Sequence, residues 1–338
     1  MRCFFCLEDR PPSDEHVFAL AIGGNYVTRR VCKPCNDLLG REVDARLVNH
    51  PLIAFRRSQL SLAGNSGKVP DAVVTLLGHG VLAAEPEQRI RIVRNAGNDM
   101  YEARVLYRET RHDLPDGGQQ VHVVLDAGEG VAGVRKVIRR IRQREGLPPL
   151  SDDELDRLAS EAVANIQTIE HPEVRVGLRL PLDGYPRALL KIAYELACTW
   201  LGDTYLGDPM AEVIRDAVLG RMGMEGSGVK GRTLLGLKGS ALLPWAAHPD
   251  SHIAFTSTVQ GCILVSLKVF DTFSASFVVS ERAALYGMDT DNPDLHRFLR
   301  IDTRTRGKEE TTLAEAFLEL LRAGSQFPLD ESDGVAST

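Results

Sequence analysis

Four cysteines near the start of this 338-residue chain stand in two C-x2-C pairs, Cys3/Cys6 and Cys32/Cys35. Two such tight turns supply four thiolates, the tetrahedral set that zinc prefers. In a chain expected to stay in the cytoplasm, paired C-x2-C units read as metal ligands rather than disulfides. The 25 residues between Cys6 and Cys32 exceed the spacing of about 15–20 found in zinc ribbons. What the extra length holds is Glu15-His16, an acid beside an imidazole, within Ser13-Asp14-Glu15-His16. Asn36 follows Cys35 directly, at the start of a run with helical periodicity. The other two cysteines, Cys198 and Cys262, sit alone in apolar runs and read as buried core residues.

The order C-x2-C, an acidic residue followed by His, a Gly23-Gly24 turn, then C-x2-C-N opening a helix resembles the four-cysteine HNH endonucleases. The resemblance covers residues 3–47, and nothing beyond it matches a motif. It implies a ββα-metal module stapled by structural Zn2+ on Cys3, Cys6, Cys32 and Cys35. It also implies phosphodiester hydrolysis, with His16 as the general base and Glu15 and Asn36 holding one catalytic Mg2+ or Mn2+. The chemistry agrees: an imidazole works near neutral pH, and carboxylate and amide oxygens are hard ligands for Mg2+ or Mn2+ rather than a second zinc. The helix start at Asn36 adds a dipole favourable to phosphate.

Helical spacing puts Asn36, Gly40 and Asp44 on one face, opposite Leu39. Gly40 would let a sugar-phosphate backbone approach closely, and Asp44 would support the ion from further out. The chain departs from the family pattern in three places. Glu15 stands where Asp is frequent, and Asn36 replaces the His of the helix. The middle Asn that steadies the His-bearing loop falls by spacing at Thr28, while the nearest Asn is Asn25; either would brace the loop. Arg29, Arg30 and Lys33 flank the site as nucleic-acid backbone contacts, with Arg56 and Arg57 less well placed.

These residues need elements to hold them. The sequence predicts strand, turn, strand and helix in that order: a turn-rich RPPSDEH, the apolar VFALAI ended by Gly23-Gly24-Asn25, the strand YVTRRV, then a helix through NDLLGREVDARLV with Leu39, Val43 and Leu47 on its apolar stripe. A short helix at PLIAFRRSQL and a linker at LAGNSGKVP follow. Over 69–126 the runs AVVTLLG, RIRIVR, YEARVLYRE and QQVHVVLDA read as an antiparallel meander. GVRKVIRRIRQREG is a basic amphipathic helix, which either tracks a phosphate backbone or is a solvated face. Ser151-x-x-Glu154 is a capping box for a helix reaching Asn165, and ALLKIAYELACTWLG is a strongly apolar helix. The Gly-rich stretch 223–239 reads as a loop, HIAFTS, GCILVSLKVF and SASFVVS as three strands, and LAEAFLELLRAG as a last helix. His248 and His252 share an H-x3-H spacing, but Pro249 argues against the helix that metal binding would need.

The expectation is therefore an α+β protein: an HNH-like module over 1–60, a mixed domain of antiparallel sheet and helices over 69–325 of unassigned role (recognition, regulation or dimerisation), and a disordered tail over 326–338. The net charge of −6 argues mildly against general nucleic-acid affinity, yet residues 1–60 carry nine Lys and Arg against seven Asp and Glu. No apolar run is long enough to span a membrane and no secretory leader opens the chain, so a cytoplasmic location is expected. The expected partner is double-stranded DNA. One such site cuts one strand, so a double-strand break calls for a homodimer or two events. The alternatives are a non-catalytic zinc-knuckle DNA-binding module and an RNA nuclease or toxin using the same motif.

Overall fold

The computed structural model describes residues 1–338 except 65, 96, 99, 116–118, 165–171, 178–179, 224, 289–294 and 323–338. The expected disordered tail and Asn165 lie outside the described residues. Two compact units emerge: residues 1–71 together with 180–338, and residues 72–179. Residues 69–325, expected as one mixed domain, are thus distributed over both.

Strands β1 (Pro12–His16) and β2 (Val27–Cys32) pair antiparallel, Glu15 facing Thr28 and His16 facing Val27. Between Ser13/Val31 and Glu15/Thr28 the register shifts, β2 advancing one residue more than β1. Such a bulge re-aims side chains beside a site. The first strand lies on PSDEH, not on the apolar run after it. Val17, Phe18 and Ile22 of that run instead turn into the core around a 3-10 turn at Leu20–Ile22. Gly23 and Gly24 are demanded there: Gly23 has φ +88°, and a Cβ on Gly24 would lie 1.8 Å from the Phe18 carbonyl oxygen.

Helix α1 (Lys33–Leu39) opens with Pro34 in its first turn, continues through a π-turn at Gly40–Asp44 and ends in α2 (Ala45–Val48). The predicted stripe Leu39, Val43 and Leu47 is buried. Helix α3 (Pro51–Gln59) is capped by His50, whose Nδ1 accepts from the Leu52 amide.

The second unit opens with α4 (Ala72–Leu77), where a strand was expected. A short apolar run is ambiguous between the two states, and the Pro70-Asp71 lead favours a helix start. Strands β3 (His79–Leu82), β4 (Arg89–Arg94), β5 (Tyr101–Val105) and β8 (Val174–Val176) form a sheet in the order β5-β4-β3-β8, and β6 (Arg108–Asp113) pairs with β7 (Gln119–Val124). Helices α5 (Gly130–Arg144) and α6 (Asp152–Ala164) pack together, the latter opened by the reciprocal Ser151–Glu154 bonds of the capping box. The basic face of α5 is tied down within this unit. Arg135 and Arg139 pair with Asp152, Arg144 with Glu109, and Arg140 lies over the Tyr107 ring.

The chain then returns to the first unit. Helix α7 (Tyr185–Leu201) is buried along most of its length, and α8 (Pro209–Val218) packs beside it. A six-stranded antiparallel sheet follows, from β9 (Gly231–Leu235), β10 (Ser251–Val259), β11 (Cys262–Val269), β12 (Phe273–Ser280), β13 (Arg297–Asp302) and β14 (Lys308–Thr312), in the order β14-β13-β10-β11-β12-β9. The edge strand β9 lies within the stretch expected as a Gly-rich loop. Helix α9 (Leu313–Arg322) closes the described chain, its Leu313 and Leu320 joining a second core with Trp245 and Phe298. Cys198 is buried as expected, whereas Cys262, at the start of β11, is only half-buried.

Helix α7 packs against β11 and β12 and also against the π-turn and α2. The core is therefore continuous from Phe5, Val31 and Leu39 through Leu189 and Ile192 to Val265. Burying side chains of this size is worth about 1.5–3 kcal/mol each. The amino-terminal module thus rests on residues 180–201 as well as on its own small core.

Candidate active site and zinc cluster

The sulfurs of Cys3, Cys6, Cys32 and Cys35 all lie within 4.8 Å of one another, with Cys6 and Cys32 3.8 Å apart. Four ligands about 2.3 Å from one zinc, set tetrahedrally, stand roughly 3.8 Å apart. Cys3 and Cys6 come from the first turn, Cys32 from the end of β2 and Cys35 from α1. The Cys32 amide also donates to Cys3 Sγ at 3.4 Å. Burial and the neighbouring thiols push Cys35 well up from its ordinary pKa. A divalent cation relieves that crowding of sulfurs. Among the described residues, this is the one cluster of three or more His, Cys, Asp or Glu placed to share an ion.

A cleft of about 650 Å3 is lined in part by Glu15, His16, Asn36, Gly40 and Asp44. The end of β1 supplies the acid and the imidazole, and the α1–π-turn face supplies the other three. Asn36 is fixed from behind: its Nδ2 donates to the Asp14 carbonyl at 2.8 Å and to Ser13 Oγ at 3.2 Å. Ser13 Oγ in turn donates to Val31 O at 2.8 Å. With Nδ2 so committed, Oδ1 is the Asn36 atom left to take a cation. A Cβ on Gly40 would meet nothing within 4 Å, so this wall of the cleft is bare backbone.

The support behind the site comes from far along the sequence. Lys191 of α7, fully buried, places Nζ 2.5 Å from Glu15 Oε1, 3.0 Å from His16 O, 3.4 Å from Asp44 Oδ2 and 3.2 Å from Glu195 Oε2. Burial raises the pKa of Glu15 against the pull of the Lys191 ammonium, with Asp44 adding to the rise. Asp44 is raised for the same reason, and Glu195 well above its ordinary value. Burial works against the Lys191 charge, but Asp44, Glu195 and Glu15 together outweigh it and hold its pKa above that of an ordinary lysine. His16 is lowered, by burial and then by the nearby ammonium, which favours the neutral imidazole.

The donor set suits a hard divalent ion. Two carboxylates and an amide oxygen face one cleft, oxygen ligands of the kind such an ion takes. Three protein oxygens leave room for the several waters that Mg2+ keeps.

The supporting residues divide. Thr28 is buried directly opposite Glu15, its Oγ1 accepting from the Arg30 amide at 3.3 Å. Asn25 points elsewhere, donating through Nδ2 to the Arg306 carbonyl. The expected backbone contacts are neutralised from within: Arg29 pairs with Asp14 at 2.7 Å, Arg30 with Asp203 at 2.5 Å, and Lys33 with Asp37 one helical turn on. None of the three lines the cleft; Arg57 and Lys68 do. Arg57 is buried, its Nε without a hydrogen-bond partner among the described residues and its two terminal nitrogens 3.4 Å from the Val48 and Leu62 carbonyls. Arg56 pairs with Asp250.

His252 is a core residue. Its Nε2 lies 2.8 Å from Ile22 O, its Nδ1 accepts from the Phe270 amide, and its ring stacks on Phe18. Reasoning from the sequence missed Lys191, Glu195 and Lys68, and ranked Arg57 below Arg29, Arg30 and Lys33. A signal existed for the first two, an acid and a base four residues apart in the otherwise apolar LLKIAYELA.

Among the described residues no helix is long and apolar enough to cross a membrane. No curated protein and no solved structure matches the chain. Residues 3–52 match the family model described as HNH endonuclease. The clustered cysteines and the ββα order of the amino-terminal segment of this α+β chain accord with that match.

Proposed function

We propose that this protein is a metal-dependent endonuclease that hydrolyses phosphodiester bonds in double-stranded DNA. The observation that carries this reading is that Glu15, His16, Asn36 and Asp44, from the end of β1 and a helix face, line one cleft inside a segment matching the HNH endonuclease family. Glu15 and Asn36 would hold one Mg2+ or Mn2+, with Asp44 behind them, and the ion would supply positive charge for the phosphate and the leaving 3′ oxygen. His16, neutral, takes a proton from water as that oxygen attacks phosphorus. The bond from phosphorus to the 3′ oxygen breaks, that oxygen takes a proton from solvent, and the ends left are 5′-phosphate and 3′-hydroxyl. Thr28 steadies the strand opposite Glu15. Zinc on the four cysteines is structural, fixing the start of α1 against β1.

The bare wall at Gly40 admits the sugar-phosphate backbone, and Arg57 and Lys68 are its cationic contacts in place of Arg29, Arg30 and Lys33. One site nicks one strand; a double-strand break needs two copies or two events. The test is incubation of purified protein with supercoiled plasmid, linear duplex and structured RNA in Mg2+, Mn2+ or EDTA. Nicked plasmid with 5′-phosphate ends, abolished by EDTA, is expected. Cleavage of RNA alone would move the substrate to RNA, and no cleavage in either metal would overturn the proposal.

A further inference from the structure

We infer that Lys191 is a positioning residue of this nuclease centre, holding Glu15 and the His16 peptide so that the carboxylate and the imidazole face the cleft. The inference rests on the nuclease reading above. Its ammonium touches one oxygen of Glu15 at 2.5 Å and the carbonyl of His16 at 3.0 Å, with the Val17 carbonyl at 3.4 Å. The strand end carrying the acid and the base is therefore pinned from behind, at three successive residues, by a side chain 174 to 176 positions away in sequence. Asp44, on the other wall, meets the same ammonium, so one buried group joins β1 to the π-turn.

Stability alone is a poor account of this lysine. Its neighbours Leu189, Leu190, Ile192 and Ala193 are buried and apolar, and buried ion pairs are often matched or bettered by apolar residues of similar volume. Lys191 and Glu195 lie one helical turn apart and pair at 3.2 Å, both fully buried. A core that only needed filling would do as well with two apolar side chains here. What the lysine adds is direction at Glu15 and His16. Groups that orient metal ligands in this way typically account for about 10–100-fold in metal affinity or activity.

The test is the double variant Lys191→Met/Glu195→Gln in the full chain, which removes one base and one acid together. Three properties are read: zinc content with thermal melting, Mn2+ binding by electron paramagnetic resonance, and kcat and KM for plasmid nicking. The expected result is a folded, zinc-loaded protein with Mn2+ binding weakened about 10–100-fold, kcat reduced by a similar factor, and KM unchanged. Lys191 faces no part of the cleft that substrate reaches, so a KM effect is not expected. Mn2+ affinity and kcat within about threefold of the parent would overturn the inference while leaving the nuclease reading intact. If the double variant fails to fold, Lys191→Gln, which keeps a donor one atom shorter, is read by the same criteria. A parent protein that neither binds Mn2+ nor cleaves would overturn both.

Discussion

Replacing Gly40 with alanine separates what the fold needs from what the substrate needs. Gly40 has φ −58° and ψ −42°, ordinary right-handed helical values that alanine adopts without strain. A Cβ there meets nothing within 4 Å. Glycine inside a helix costs about 0.5–1 kcal/mol relative to alanine, so Gly40→Ala should stabilise the protein by that amount. The methyl projects into the cleft one helical turn after Asn36 and one before Asp44, where the backbone of a nucleic acid would pass. Displacing a substrate by about 1 Å can cost on the order of 100-fold. A 10–100-fold fall in the nicking rate is therefore expected, alongside an unchanged or raised melting temperature. Arg41→Ala, at the exposed neighbouring position, serves as control. A Gly40→Ala protein that is more stable and still nicks at the parent rate would show that no substrate backbone passes this wall.

Three further outcomes follow from the geometry. In a His16→Ala background, Lys68→Ala should lower the slope of log binding constant against log salt for a DNA duplex by about 0.9, one phosphate contact, measured by anisotropy; Arg29→Ala should leave it unchanged because Asp14 already neutralises that residue, and the reverse pattern would refute the assignment. Cys6→Ser should reduce zinc from one per chain, by elemental analysis, and unfold the amino-terminal module; full activity without zinc would contradict a structural role. Burial holds His252 down at about 4. The unfolded chain then binds the extra proton between pH 6.5 and 4, so the contribution is complete at pH 7 and is lost as pH falls through that window, by on the order of 3 kcal/mol. Protonated Nδ1 would oppose the Phe270 amide and sit in the field of the Lys268 ammonium. Urea midpoints at pH 7 and 4.5 for the parent and His252→Phe test this, and equal pH slopes would count against it.

What the sequence made legible was local. The cysteine pairs, Glu15-His16, the Gly23-Gly24 turn and Asn36 announce themselves by spacing within 50 residues, because a zinc-stapled module concentrates its chemistry there. The Leu39, Val43 and Leu47 stripe gave the orientation of the helix, and with it the shared face of Asn36, Gly40 and Asp44. Pairings across the chain were hidden. Lys191 reaches Glu15 over 176 positions, and periodicity says only that α7 is buried, not what it is buried against. Charge runs conceal their partners in the same way. Arg29, Arg30 and Lys33 are basic in sequence but neutral in effect once Asp14, Asp203 and Asp37 are placed. The first strand was missed because VFALAI, the more apolar run, spends its side chains on the core, while the polar PSDEH makes the pairing. The runs at 72–77 and 231–235 are short enough for packing to override composition.

The central claim is that the imidazole at the end of β1 activates water for phosphodiester cleavage. Plasmid nicking by His16→Ala tests it most directly, with zinc content and melting temperature followed in parallel. A general base of this kind contributes about 100–10,000-fold, so nicking should fall by at least 100-fold while zinc and melting stay at parent values. Nicking by the folded variant within a few-fold of the parent would contradict the account.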